Sequence, residues 1–182
     1  MLLSSSVWRG NARWWFAGGE LIGGLAASLL AVLLGSLLIR PWLPVAARPV
    51  LIAAVLVVVA AHEFGLVRLR LPQNARQVPQ WVIDEGGRFG ALQFGFEMGT
   101  GMRTFMTSGL PHVLLVGVLL SASWPHALVA GLWFGAGRAW MALTRLWHPD
   151  PAAWDGSLRR HDSTVRAAMV FAAGLVVLVA AA

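Results

Sequence analysis

The chain contains no cysteine, no tyrosine and no lysine, and only eight of its 182 residues are acidic. Without cysteine there is no disulfide, no thiol nucleophile and no thiolate metal site. The redox compartment stays open, because a cysteine-free chain suits either. Charged residues of both signs make up 12% of the sequence against 58% hydrophobic, which excludes an ordinary soluble globular domain. Chemical signatures are missing as well: there is no phosphate loop, no Ser-His-Asp arrangement, no His-Glu-x-x-His helix and no nucleic-acid module. Gly99-Thr100-Gly101 is not a dinucleotide fingerprint, since no strand precedes it and the spacing is wrong.

What is present is apolar sequence punctuated by arginine. All fourteen basic residues are Arg, and they flank apolar runs instead of forming a patch. They read as topology signals and contacts to anionic lipid, with the bilayer and not nucleic acid as partner. Ten tryptophans suit a membrane protein with interfacial anchors.

Five apolar runs predict an all-α fold: a polytopic transmembrane helical bundle of about five spans in one domain, 1–182. The spans are expected near 21–39, 49–66, 100–120, 125–143 and 165–182. Residues 1–19 read as a basic arm with an aromatic anchor at Trp14, Trp15 and Phe16. A cleaved signal peptide would need a shorter apolar run, so the first span is expected to stay. Val67–Arg88 reads as a polar connector broken by Pro72 and Pro79, and Trp81 to about Phe96 as an interfacial helix. The arm, this connector and the Arg138–Arg166 region carry eleven of the fourteen arginines. That bias predicts a cytoplasmic N-terminus, an external C-terminus and a bacterial inner-membrane location.

A short repeat relates the two halves. Phe64-Gly65-x-x-Arg68 matches Phe134-Gly135-x-x-Arg138, and Glu20 precedes Gly23-Gly24 as Glu97 precedes Thr100-Gly101. It predicts two duplicated helical hairpins, running parallel, followed by a C-terminal helix.

Gly90–Leu120 is the least regular stretch. A straight helix of that length would run roughly 46 Å, against a hydrocarbon core of about 30 Å. It contains Glu97, Arg103 and His112, with Gly99, Gly101, Gly109 and Pro111 as candidate hinge positions. Proline inside a helix removes a donor and frees a carbonyl, so a kinked or half-unwound helix is expected at Ser108–Pro111. Glu97 and Arg103, six apart, would meet only if the helix unwound at Gly99–Gly101.

Glu20, His62, Glu63, Arg68, Glu97, Arg103 and Arg138 all fall near the cytoplasmic ends of the expected spans. They could form a polar site between helices that binds a cation or relays protons, or could snorkel and make ion pairs. His112, deeper, could ligate a metal, contact a quinone or haem, or hydrogen-bond a neighbouring helix. His148, Asp150, Asp155, His161 and Asp162 match no compact ligand motif and read as a solvated loop. No metal site and no cofactor is assigned.

The run from Gly99 to His112, GTGMRTFMTSGLPH, followed by an apolar segment, resembles the broken helices of CcdA/DsbD-like membrane proteins. Those carry thiol reducing equivalents across a membrane, using cysteine beside proline in a helix rich in glycine and threonine. Here His112 follows Pro111, so the resemblance implies a scaffold stripped of thiol exchange. Two functions are open: a non-catalytic membrane subunit that anchors a larger complex or oligomer, and a small transporter or permease component gated at the third span. A membrane enzyme is the less favoured class.

Overall fold

The computed structural model describes residues 10–71, 87–101, 106 and 108–181, with side chains as far as Leu178. Among these the chain is all-α, with no strand. Seven helices run in order: α1 (Ala12–Leu34, continued by a π-helical turn, Gly35–Ile39), α2 (Ala47–Glu63), α3 (Gly87–Gly99), α4 (Leu110–Ser121), α5 (Trp124–Trp147), α6 (Pro151–Arg160) and α7 (Asp162–Ala181). Proline and glycine set several boundaries. Pro111, Pro125 and Pro151 lie in the first turns of α4, α5 and α6, where a missing N–H costs nothing. Gly65 and Gly101, at φ +74° and +70°, follow the ends of α2 and α3.

The centre of the fold is α1. Its first contact face carries Gly19 and Gly23, which meet Gly95 and Gly99 of α3 in the same order, so the two helices run parallel. A Cβ on any of these four glycines would enter the backbone of the facing helix. A second face carries Gly24 and Ser28, which meet Gly135 and Gly131 of α5 in reverse order, so α5 is antiparallel. Small residues four apart let helix backbones touch, giving dispersion contact where hydrophobic driving force is weak. Phe16, Ala91 and Phe94 fill one end of the α1–α3 seam, with the two rings 5.8 Å apart. Ala31, Val32, Val118 and Ala127 close the other end of the core, where Gly35 abuts the backbone of Leu119.

Thus α3 and α4 lie one after the other along α1. The second layer follows from α4. Leu56 and Val59 of α2 pack on Val113, and Ala173 and Val177 of α7 pack on the same cluster. Glu63 lies by Gly109 and Arg48 by Ser121, so α2 runs against α4.

Among the described residues, Pro151–Arg160 and Asp162–Leu178 pass the test for a membrane span only as one pair bent by 65°, and one helix, Ala12–Ile39 with its 28 residues, is long and apolar enough to cross a membrane by itself. Its length, about 42 Å at ~1.5 Å per residue, exceeds the hydrocarbon thickness. The helices differ from expectation in four places. The run expected at 100–120 is not one helix: Gly101 takes a left-handed conformation, and α4 has only 12 residues. In place of the kinked or half-unwound helix expected at Ser108–Pro111, a helix starts at Leu110 with Pro111 in its first turn. The aromatic anchor Trp14–Phe16 is the first part of α1, and Phe16 is buried against Phe94. The loop expected after Arg145 is helical, with Asp150 capping α6 by accepting from the N–H groups of Ala152 and Ala153. Of the expected interfacial helix, 81–86 lies outside the described residues; its remainder packs on α1 through Ala91, Phe94 and Gly95.

Candidate functional site

The break between α3 and α4 is built by the local sequence. Helix α3 ends where Gly99 lies on the backbone of Glu20 and Gly101 turns left-handed. Helix α4 begins at Leu110, and its exposed first donors need a partner. The N–H of Gly109 donates to Oε1 of Glu63 at 2.5 Å, a carboxylate at a helix N-terminus, where the peptide dipoles favour negative charge. The Glu63 side chain is 1% exposed, and its second oxygen accepts from Arg166 of α7 at 2.9 Å. One carboxylate therefore ties the end of α2, the start of α4 and the first turns of α7 together.

Opposite the break, α1 shows only small side chains, and a cavity of about 340 Å³ lies against them. Its wall includes Ser28, Thr100, Met106, His112 and Phe134. A smaller space, about 60 Å³, lies behind it and is lined by His62, Met106, Ser108 and His112. His112 and Met106 thus stand between the two. His62 is anchored by its own loop, its Nδ1 lying 3.0 Å from the Val67 carbonyl and 3.3 Å from the Leu69 N–H.

A second polar locus sits below the break. Glu20, 2% exposed, lies 3.7 Å from Nε of Arg138 on α5. Its backbone carbonyl is covered by Gly99 on one side and Gly135 on the other. Among the described residues, the second carboxylate oxygen of Glu20 has no hydrogen-bond partner. The Arg138 guanidinium also stacks 5.7 Å above the Phe134 ring, which lines the large cavity. A buried carboxylate and guanidinium at this spacing compensate each other's desolvation only in part.

The residues expected either to gather in one polar site or to make ion pairs, and the deeper His112, fall as follows. Glu20 joins Arg138 and Glu63 joins Arg166, while His62 and His112 share the small cavity. Glu97 lies in the last turn of α3, and its backbone carbonyl accepts the Thr100 hydroxyl at 2.8 Å. Arg103 lies outside the described residues. Of the hinge positions, Gly99 and Gly101 end α3, and Gly109 and Pro111 open α4. Sequence reasoning missed Arg166, Ser28, Met106 and Phe134. Arg166 had a local signal in its i,i+4 spacing from Asp162, which it also binds at 2.8 Å.

His148, Asp150, Asp155, His161 and Asp162 have structural partners. Arg145 holds Asp155 through two bonds of 2.8 and 2.9 Å, and the hydrogen bonds from Arg145 draw the Asp155 carboxyl below its usual range. His148 and His161 contact backbone carbonyls. No group of three or more potential metal ligands among His, Asp and Glu occurs among the described residues. No protein-family model, curated protein or solved structure matches the chain.

Proposed function

We propose that the protein is a small membrane transporter or permease component whose solute passes through the cavity at the α3–α4 break. The observation that carries this reading is the position of the cavity: a broken helix runs parallel to α1 and opens a 340 Å³ space against its small-residue face. In lipid, irregular backbone is tolerated where protein covers it or where it lines a cavity, and broken helices supply binding elements in many carriers.

In this reading α1, α2, the α3–α4 pair, α5 and α7 are five spans. Their packing directions support it, because α1 and the α3–α4 pair run one way while α2 and α5 run the other. Glu63 meets Arg166 while Leu56 and Val59 lie with Ala173 and Val177, which sets α7 against α2. The arginine bias supports a cytoplasmic N-terminus and an external C-terminus in this reading. The likeness to CcdA/DsbD-like proteins accords with a carrier that works without thiol exchange.

The cysteine-free chain makes the test direct. Single cysteines replacing Ala27 and Leu115, both on the cavity wall, are treated with a membrane-impermeant thiol reagent in right-side-out and inside-out vesicles. A carrier exposes them to both sides in turn. Labelling from one side only, or from neither, would count against transport.

A second reading, a non-catalytic subunit of a larger complex, rests on one observation. Trp133, Trp140 and Trp147 recur every seven residues along α5 and stand exposed, the first two at 74% and 61%. Such an aromatic stripe suits a partner helix as well as lipid. Mild-detergent purification from native membrane separates the readings: a co-purifying set of other proteins favours the subunit.

A further inference from the structure

The carboxylates of α6 and its two flanking turns are all committed. Asp150 caps α6 by accepting from Ala152 and Ala153, Arg145 holds Asp155 through two bonds, and Arg166 holds Asp162 at 2.8 Å. Arg159 and Arg160, in the last turn of α6, are exposed and make no ion pair among the described residues. Arg159 lies near enough to Asp155 to act on its charge, but both oxygens of that carboxylate are taken by Arg145. The local acids therefore leave two adjacent guanidinium groups without a counter-charge.

The placement of α6 follows from its neighbours. It meets α7 at 65°, and α7 packs beside α2 and α4 through Ala173 and Val177. With α7 as a span, α6 lies closer to the membrane plane than to its normal. The tryptophans give the depth. Trp14 at the start of α1 lies 6.0 Å from Trp147 at the end of α5, which meets Trp140 edge-on at 6.2 Å, and all three are exposed. Tryptophan collects at the level of the headgroups, and α6 begins just past Trp147. Trp154 and Leu158, one turn apart on α6, are half-buried, while Arg159 and Arg160 face outward.

We propose that α6 lies in the headgroup layer at the N-terminal end of α1, and that Arg159 and Arg160 there hold the phosphate of an anionic phospholipid. The inference rests on the membrane reading above, not on the passage of a solute. A guanidinium presents paired N–H donors that match the oxygens of a phosphate. A zwitterionic headgroup brings its own cation against the second arginine, and an anionic headgroup does not. Charge complementarity thus selects the lipid, and the tilt of α6 sets the depth at which it is met.

The probe is phosphatidylglycerol, compared with phosphatidylcholine of the same acyl chains. Each is added to the full chain in detergent, and bound lipid is counted by native mass spectrometry. An arginine beside an anionic headgroup is worth about fivefold, so Arg159→Gln and Arg160→Gln together should lower the preference for phosphatidylglycerol by roughly 25-fold. Arg40→Gln, an exposed arginine at the far end of α1, is the control and should leave the preference as it is. Glycerol phosphate should not displace the lipid; displacement would make this a site for soluble phosphate esters and overturn the proposal. Depth is read separately, from a fluorophore on a single cysteine replacing the exposed Ser157. In liposomes it should be quenched by a spin label on the headgroup and not by one at the end of the acyl chain. The reverse pattern, or quenching by neither, would overturn the placement of α6. A chain that inserts into liposomes but keeps its preference in the double variant overturns this proposal alone. A chain that does not insert overturns the membrane reading with it.

Discussion

Glu63 at the end of α2 accepts the backbone N–H of Gly109 across 46 positions of sequence, and with its other oxygen holds Arg166, 103 positions away. The contact gives the break in the third helical run a fixed edge, since the start of α4 cannot move without releasing a buried carboxylate. The role is structural, and it lies on a residue whose neighbours in sequence reveal nothing of it.

Removing that carboxylate should loosen α2 from both partners. Glu63→Ala is expected to cost about 1–3 kcal/mol, below the range for a fully buried pair because Arg166 is partly exposed. Glu63→Gln keeps an acceptor for Gly109 and should cost less. Thermal unfolding in detergent, followed by helical circular dichroism, orders the variants; an alanine protein as stable as the parent would contradict the clasp.

Glycines along the chain divide sharply by what a methyl group would meet. Gly23→Ala places Cβ in the backbone of Phe96 and Thr100 and is expected to destabilise by more than about 2 kcal/mol. Gly137→Ala meets nothing within 4 Å in the middle of α5. It should be neutral or stabilise by up to about 1 kcal/mol through helix propensity. The comparison is read in one unfolding experiment, and similar effects at the two positions would refute the close seam.

Pro111→Ala should be nearly silent, within about 0.5 kcal/mol, because Pro111 occupies the first turn of α4 and its missing donor has no intrahelical acceptor. Gly109→Leu should disrupt the fold, since its Cβ would lie 2.7 Å from a Leu71 methyl and 2.9 Å from a Val59 methyl. Detergent-resistant monodispersity distinguishes them. Loss of assembly in Pro111→Ala would restore a mid-helix role for the proline.

Asp155 should titrate below the usual aspartate value, and Arg145→Gln should raise it toward that value. Its folded pKa is depressed, so the clasp between α5 and α6 is complete above the unfolded pKa and is lost as pH falls through the folded one. At neutral pH the clasp is intact. Carbon-13 titration of the Asp155 carboxyl is the measurement, and a normal value in the parent chain would exclude the paired geometry in solution.

The all-α class was legible because five apolar runs left no alternation for strands, and proline and glycine marked where helices start and stop. The helix ends were less so. Trp14, Trp15 and Phe16 read as an interfacial anchor, yet α1 continues through them because Phe94, far along the chain, covers Phe16. Pro111 read as a kink because the sequence does not reveal that Gly101 has already ended the preceding helix. For the site, Glu20 and His112 stood out as polar residues in apolar sequence. Their partners did not: Arg138 and Arg166 look alike in sequence, and only packing assigns one to Glu20 and the other to Glu63. Ser28 had only its four-residue spacing from Gly24 as a signal, because its role comes from facing Gly131.

The two glycine seams of α1 also set an order of events during synthesis. Helix α1 leaves the ribosome before the helices it packs on, and Gly19 must wait 76 residues for Gly95, and Gly24 must wait 111 for Gly135. Until then its close-packing faces have no protein against them, and α2, the next helix made, does not supply them, being seated on α4 and α7. The centre of the molecule is therefore assembled late, after most of the chain exists, and a nascent protein halted at Ser121 would have its first helix lined on one face only.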